Sequence, residues 1–217
     1  MSHFTEHRFR ALCQRTAPRL NAATAFSDLS TAYSQPSRHY HNGVHIADCL
    51  SLFDTVRDSF EHPDAAEFAL WYHDAVYDSR AHDNEARSAV LAANQLRTGG
   101  ATSDIIQRVE RLILATRHKE TPIDAEAKLL VDIDLSILGR DELAFDAYDN
   151  AIRQEYAWVP DDAYRIGRTG VLRGFLERPR IYNTDTFFAW YELRARENIA
   201  RAIEALGRCA LPHFSSR

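Results

Sequence analysis

From Ala65 to Ala75 the chain reads AAEFALWYHDA, which is apolar on nearly every side of a helix and closes on the doublet His73-Asp74. A surface helix needs a single apolar stripe, so a segment that is apolar all round must be enclosed by other elements. His62-Pro63-Asp64, just ahead of it, is a breaker whose proline suits a first helical turn. No stretch alternates apolar and polar residues as a half-buried strand would. The reading is therefore all-α, with this segment as the central helix.

The rest of the chain repeats the helical period. Apolar residues recur at helical spacing from Phe4 to Leu20 and from Ala22 to Tyr33, and SQPS at 34–37 breaks the pattern. Asn42 to Phe60 is amphipathic with His45 near its buried side. Asp83 is the expected cap of a helix from Asn84 to about Arg97 that Gly99-Gly100 ends, and Ser103 the expected cap of the next, which stops near 116–119. Asp124 to Leu138, Asp141 to Trp158, Asp161 to Leu176 and Thr184 to Leu206 complete the set, with Lys119 read as surface and the tail after Gly207 as frayed. One domain is expected over 1–217, with a core of about 22–140 and the helices of 141–206 packed on it.

Composition narrows the function. Lys and Arg number 26 against 31 Asp and Glu, a formal charge of −5, which argues against coating a nucleic-acid polymer. Cys13, Cys49 and Cys209 are far apart and form no CxxC, so neither a disulfide framework nor a cysteine zinc site is indicated. The N-terminus lacks a signal-peptide core, and no run approaches the ~20 apolar residues of a membrane span. The expectation is a cytoplasmic protein with a small-molecule partner and no membrane association.

The chemistry concentrates in RHYHNGVH and WYHD. His41 and His45 are spaced i, i+4, and Asp74 ends an apolar run in which an unpaired carboxylate would cost several kcal/mol. A divalent cation meets that need. Imidazoles and carboxylates suit manganese, iron, cobalt, nickel or zinc, and magnesium is also admissible. A further carboxylate comes from LLVDIDLSILG. There Asp134 has Leu130, Val131, Ile137 and Leu138 one turn away, whereas Asp132 neighbours Lys128 and Ser136. Asp134 is read as inward and Asp132 as solvated or capping.

His45, His73-Asp74 and Asp134 resemble the H…HD…D signature of HD-domain metal-dependent phosphohydrolases. RHYHNGVH, ALWYHDAVYD, DNEARSA, Thr116 to His118, DIDLSILG, YRIGR and IYNT are together similar to a bacterial branch of that superfamily. The resemblance implies an HD-like helical bundle with additional helices, in which His45, His73, Asp74 and Asp134 hold the ion and a metal-bound water attacks a small, phosphorylated, nucleotide-like substrate. Asp74 then doubles as a proton acceptor, and Asp78 is a candidate acid or base. Arg38, His41 and His118 are expected to reach the substrate, with Arg168 and Tyr182 lining the outer pocket. DNEARSA is read as capping sequence only.

Three other functions fit parts of the pattern. A di-iron oxygenase of HD type would recruit His41 or His118 as extra ligands. A non-catalytic sensor would bind a nucleotide in the same pocket. A zinc peptidase fails, because Asn42 stands where HExxH needs its glutamate.

Overall fold

A computed structural model describes residues 3–118 and 120–208. Lys119, Cys209 and the tail expected to fray beyond it lie outside the described residues. The described chain is all-α, and it divides into two compact units, Met1–Asp134 and Leu135–Arg217.

The first unit holds α1 (Glu6–Thr16), α2 (Ala22–Tyr33), α3 (Gly43–Val56), α4 (Pro63–Tyr72), α5 (Asn84–Thr98), α6 (Ser103–Ala115) and α7 (Ala125–Asp134). Every residue of α4 from Ala65 to Tyr72 is buried, and α1, α3, α5, α6 and α7 all pack on it. This is the enclosure that its apolar surface demands. Glu67 on α4 is buried as well, held by Arg8 Nε at 2.7 Å and Arg15 Nη2 at 3.6 Å from α1. Pairing offsets the desolvation of that carboxylate.

Local chemistry sets the helix ends. Thr5, Asn21, Asn42 and Thr102 each accept an amide hydrogen bond at the start of α1, α2, α3 and α6. Thr102, not Ser103, therefore caps α6, and Asp83 precedes α5 without a side-chain capping bond. The N-terminal helix is shorter than the apolar pattern suggested, and α3 passes at Val56 into a 3-10 turn over Arg57–Ser59. α5 ends in a Schellman turn: Gly100 N donates to Arg97 O and Ala101 N to Leu96 O, with Gly100 at φ 79°.

The pattern read as one helix over Asp124 to Leu138 is α-helical only to Asp134 and 3-10 from Leu135 to Gly139. The 3-10 turn opens the second unit, with α8 (Glu142–Glu155), α9 (Asp161–Leu176) and α10 (Asp185–Arg208). Within that unit Asn198 of α10 donates to Leu138 O and Arg140 O, and Glu192 accepts from the amides of Ile181 and Tyr182. None of the described helices is long and apolar enough to cross a membrane.

Gly100→Ala should lower stability by about 1–2 kcal/mol, because its left-handed backbone is costly for a residue with a Cβ and the Arg19 side chain fills the space that Cβ would take. Urea unfolding followed by circular dichroism measures it, and an unchanged midpoint would contradict the turn described.

Candidate metal centre

Three elements of the first unit bring four donors together. His45 comes from the first turns of α3, on the buried face that its neighbours Ile46 and Cys49 share. His73 caps the C-terminus of α4, with its amide still bonded to Ala69 O at 2.8 Å, and Asp74 follows in the turn. Asp134 is the last residue of α7.

The distances are those of atoms arranged around a common point. His45 Nε2 lies 3.2 Å from His73 Nε2, 3.2 Å from Asp134 Oδ1 and 3.5 Å from Asp74 Oδ2. His73 Nε2 lies 3.1 Å from Asp74 Oδ2 and 3.5 Å from Asp134 Oδ1. Ligands about 2.0–2.2 Å from a transition metal sit roughly 2.9–3.6 Å apart in tetrahedral or adjacent octahedral positions. All five measured edges fall in that range.

Proton placement strengthens the fit. His73 Nδ1 is 3.0 Å from Leu70 O, a bond only Nδ1–H can donate, so in the neutral ring Nε2 presents its lone pair to the cluster. Lone pairs and carboxylate oxygens at such spacing repel unless a proton or a metal ion lies among them. The electrostatics say the same for protons. Burial alone would lower the pKa of His73, but Asp74 and Asp134 overcome it and raise that pKa well above the ordinary value of 6.5. Burial would raise both carboxylates, and the histidines prevail: His73, His41 and His45 hold Asp74 low, and bonds with His118, His45 and His73 hold Asp134 well below 3.8.

His45, Cys49, His73 and Asp134 also form a group whose donor atoms lie within 4.8 Å of one another and that could hold a metal ion. Cys49, one turn beyond His45, belongs to this group although the spacing of the cysteines indicated no cysteine metal site. Its Sγ is 3.8 Å from both Nδ1 and Nε2 of His45. A sulfur equally far from both nitrogens is on the lone-pair axis of neither, so it makes no strong bond to the ring, and Asp74 Oδ2, at 3.5 Å, lies closer to His45 Nε2 than this sulfur does.

The remaining expected residues divide. His118 reaches the cluster: its Nε2 is 2.9 Å from Asp134 Oδ2, and it is held at φ 54°, a left-handed backbone that histidine adopts more readily than most residues. His41 stacks on Tyr77 with ring centres 4.2 Å apart and stands edge-on to His45 at 6.2 Å. Arg38 is buried, and its guanidinium is spent on backbone carbonyls rather than presented as a phosphate fork. Asp78 is exposed and accepts from Arg80 N at 2.9 Å, a turn role rather than an inward one. Arg168 and Tyr182 belong to the second unit. There Arg168 pairs with Asp149 at 2.7 Å over the Tyr148 ring, and Tyr182 donates to Leu135 O at 3.0 Å.

Two expectations need correction. Asp132, read as solvated, is fully buried, because its face of α7 also turns into the protein. DNEARSA is more than capping sequence. Ser88 Oγ accepts from Val76 N and donates to Val76 O, and Asn84 brackets Asp78 through both its amide and its carbonyl. Together they hold the loop that follows His73-Asp74. A polar pair four residues apart on one helical face was the available signal.

Asp134→Asn should weaken transition-metal binding by more than about 10-fold, whereas Asp132→Asn should lower the melting temperature while keeping the affinity; calorimetric titration and thermal melting of both variants read the two effects. Metal-free and metal-loaded protein should also respond oppositely to pH. The raised pKa of His73 stabilises the metal-free fold fully below 6.5 and less as pH rises through its folded value, and the depressed carboxylates stabilise it above 3.8 and less as pH falls. Metal requires neutral imidazole, so the rise in melting temperature on adding zinc or manganese should grow from about pH 5 to about pH 8. A metal-induced rise that is constant over that range contradicts the assignment of the histidines. No protein-family model, curated protein or solved structure matches this chain, and the centre stands on its own geometry.

Proposed function

We propose that the protein is a metal-dependent phosphohydrolase that cleaves a phosphoester or phosphoanhydride of a small, nucleotide-like substrate. The observation that carries this reading is the convergence of two imidazoles and two carboxylates at ligand spacing on α3, α4 and α7. Its support beyond geometry is the resemblance of the ordered H…HD…D set to HD-domain phosphohydrolases.

His45 and His73 would hold the ion as neutral donors, and Asp74 and Asp134 would balance its charge, a set suited to manganese, iron, cobalt, nickel or zinc, with magnesium the weaker choice for imidazole. Bound there, the ion supplies a Lewis acid that lowers the pKa of a water and gathers charge from phosphoryl oxygens. Asp74 turns Oδ2 to the imidazoles, and with an ion bound its carboxylate would be the group placed to accept a proton from the water. His118 orients Asp134 by holding Oδ2 while Oδ1 faces the histidines.

The same bridging posture of Asp134 favours a second reading, a two-ion centre with His118 on the second metal, which is the arrangement a di-iron oxygenase requires. A sensor that binds a nucleotide without turnover is the non-enzymatic counterpart.

Purified protein loaded with each metal and given nucleotides, phosphomonoesters and pyrophosphates should release phosphate or pyrophosphate, with one equivalent of metal bound. In labelled water the solvent oxygen should appear in the phosphate or its partner product. Oxygen drawn from dissolved gas with two equivalents of iron selects the oxygenase, and binding without turnover selects the sensor.

A further inference from the structure

Arg38 is a cation taken almost wholly out of water, with 6% of its surface exposed, and its guanidinium donates to backbone carbonyls and to a side-chain amide. Its Nη1 donates to Asp74 O at 2.5 Å and its Nη2 to Ala75 O at 2.9 Å. A longer bond from Nη1 reaches His41 O at 3.4 Å, and Nε donates to Gln35 Oε1 at 3.3 Å. The guanidinium lies over the Tyr33 ring at 5.3 Å and the Tyr77 ring at 5.7 Å, and Tyr77 stacks in turn on His41.

These contacts meet where α4 ends. The last carbonyls of a helix lack intrahelical partners, and the dipole leaves partial negative charge there. Tyr33 satisfies one of them, donating its hydroxyl to Trp71 O at 2.9 Å, and Arg38 takes the carbonyls of Asp74 and Ala75 in the turn just beyond the helix. A planar fork can hold two adjacent carbonyls at once, whereas a lysine ammonium acts as a point charge. Asp74 is thus gripped by its own backbone. The same guanidinium bridges to the segment that leads into α3, which carries His45.

We propose that Arg38 is the positioning residue of the metal centre: by clamping the Asp74 and Ala75 carbonyls to the 33–41 segment, it fixes the Asp74 carboxylate and the α4 histidine in register with His45. This rests on the reading of the cluster as a metal site. Arg38 acts on the centre through the backbone of Asp74 and Ala75. Its effect is on how well the donors are arranged before binding, which is the work of groups that orient ligands.

Cobalt(II) is the probe, because its visible absorption reports coordination geometry independently of turnover. Full-length wild type, Arg38→Met and Arg38→Lys are titrated with cobalt while melting temperature is recorded without metal. Arg38→Met should bind cobalt about 10- to 100-fold more weakly, with an altered visible spectrum. Arg38→Lys should restore the charge but only part of the affinity and spectrum. A folded Arg38→Met with wild-type affinity and spectrum overturns the proposal and leaves the metal centre intact. If Arg38→Met does not fold, Arg38→Lys decides by the same readings. A wild type that binds no cobalt, manganese or zinc sinks the metal centre and this proposal with it.

Discussion

Two carboxylates and two imidazole nitrogens lie within 3.5 Å of their neighbours in the interior of the first unit, and that crowding of electron pairs is the constraint on which the surrounding structure depends. Water is largely excluded, so the repulsion is weakly screened. A positive charge has to sit among the donors. In the metal-free state protons supply it, which is why His73 is driven up and Asp74 and Asp134 are driven down. A divalent ion bound there would supply more charge at the same place and meet the lone pairs directly.

Holding such a cluster together requires helices that cannot relax away from it. α4 does this by being buried from Ala65 to Tyr72 among five other helices, so its C-terminus has little freedom. The turn beyond is tied from both sides. Arg38 and Tyr33 hold the carbonyls of 71, 74 and 75, while Ser88 and Asn84 of α5 hold Val76 and Asp78. Polar bonds to backbone are stiff and directional, and here they bracket the His73-Asp74 doublet on either side. The first unit contains every donor of the centre, and the second unit uses Arg168 and Tyr182 for its own internal bonds.

The helical character of the chain was legible because it rests on local periodicity. The central position of α4 followed from apolar residues on all its sides, and Asp134 could be placed inward from its one-turn neighbours. Asp132 shows the limit of that argument. Neighbours on one helix report the polarity of a stripe, but whether a second stripe is covered depends on what packs against it, and α7 has Asp132 buried as completely as its apolar neighbours.

What the sequence determined by itself was the kind of chemistry available: histidines and aspartates spaced so that helices could present them inward. Only the tertiary structure decided which of the polar side chains would share one point and which would be spent on the backbone. Arg38 and His118 are both basic residues near the doublet or its partner carboxylate. One is consumed by carbonyls in the turn after α4, and the other points at Asp134. Cys49, which the spacing of the cysteines left out of any site, approaches the His45 ring because one helical turn separates them. The reason is physical: a hydrogen-bonding group goes to the nearest partner the fold leaves unsatisfied, and those partners exist only once the helix ends have met.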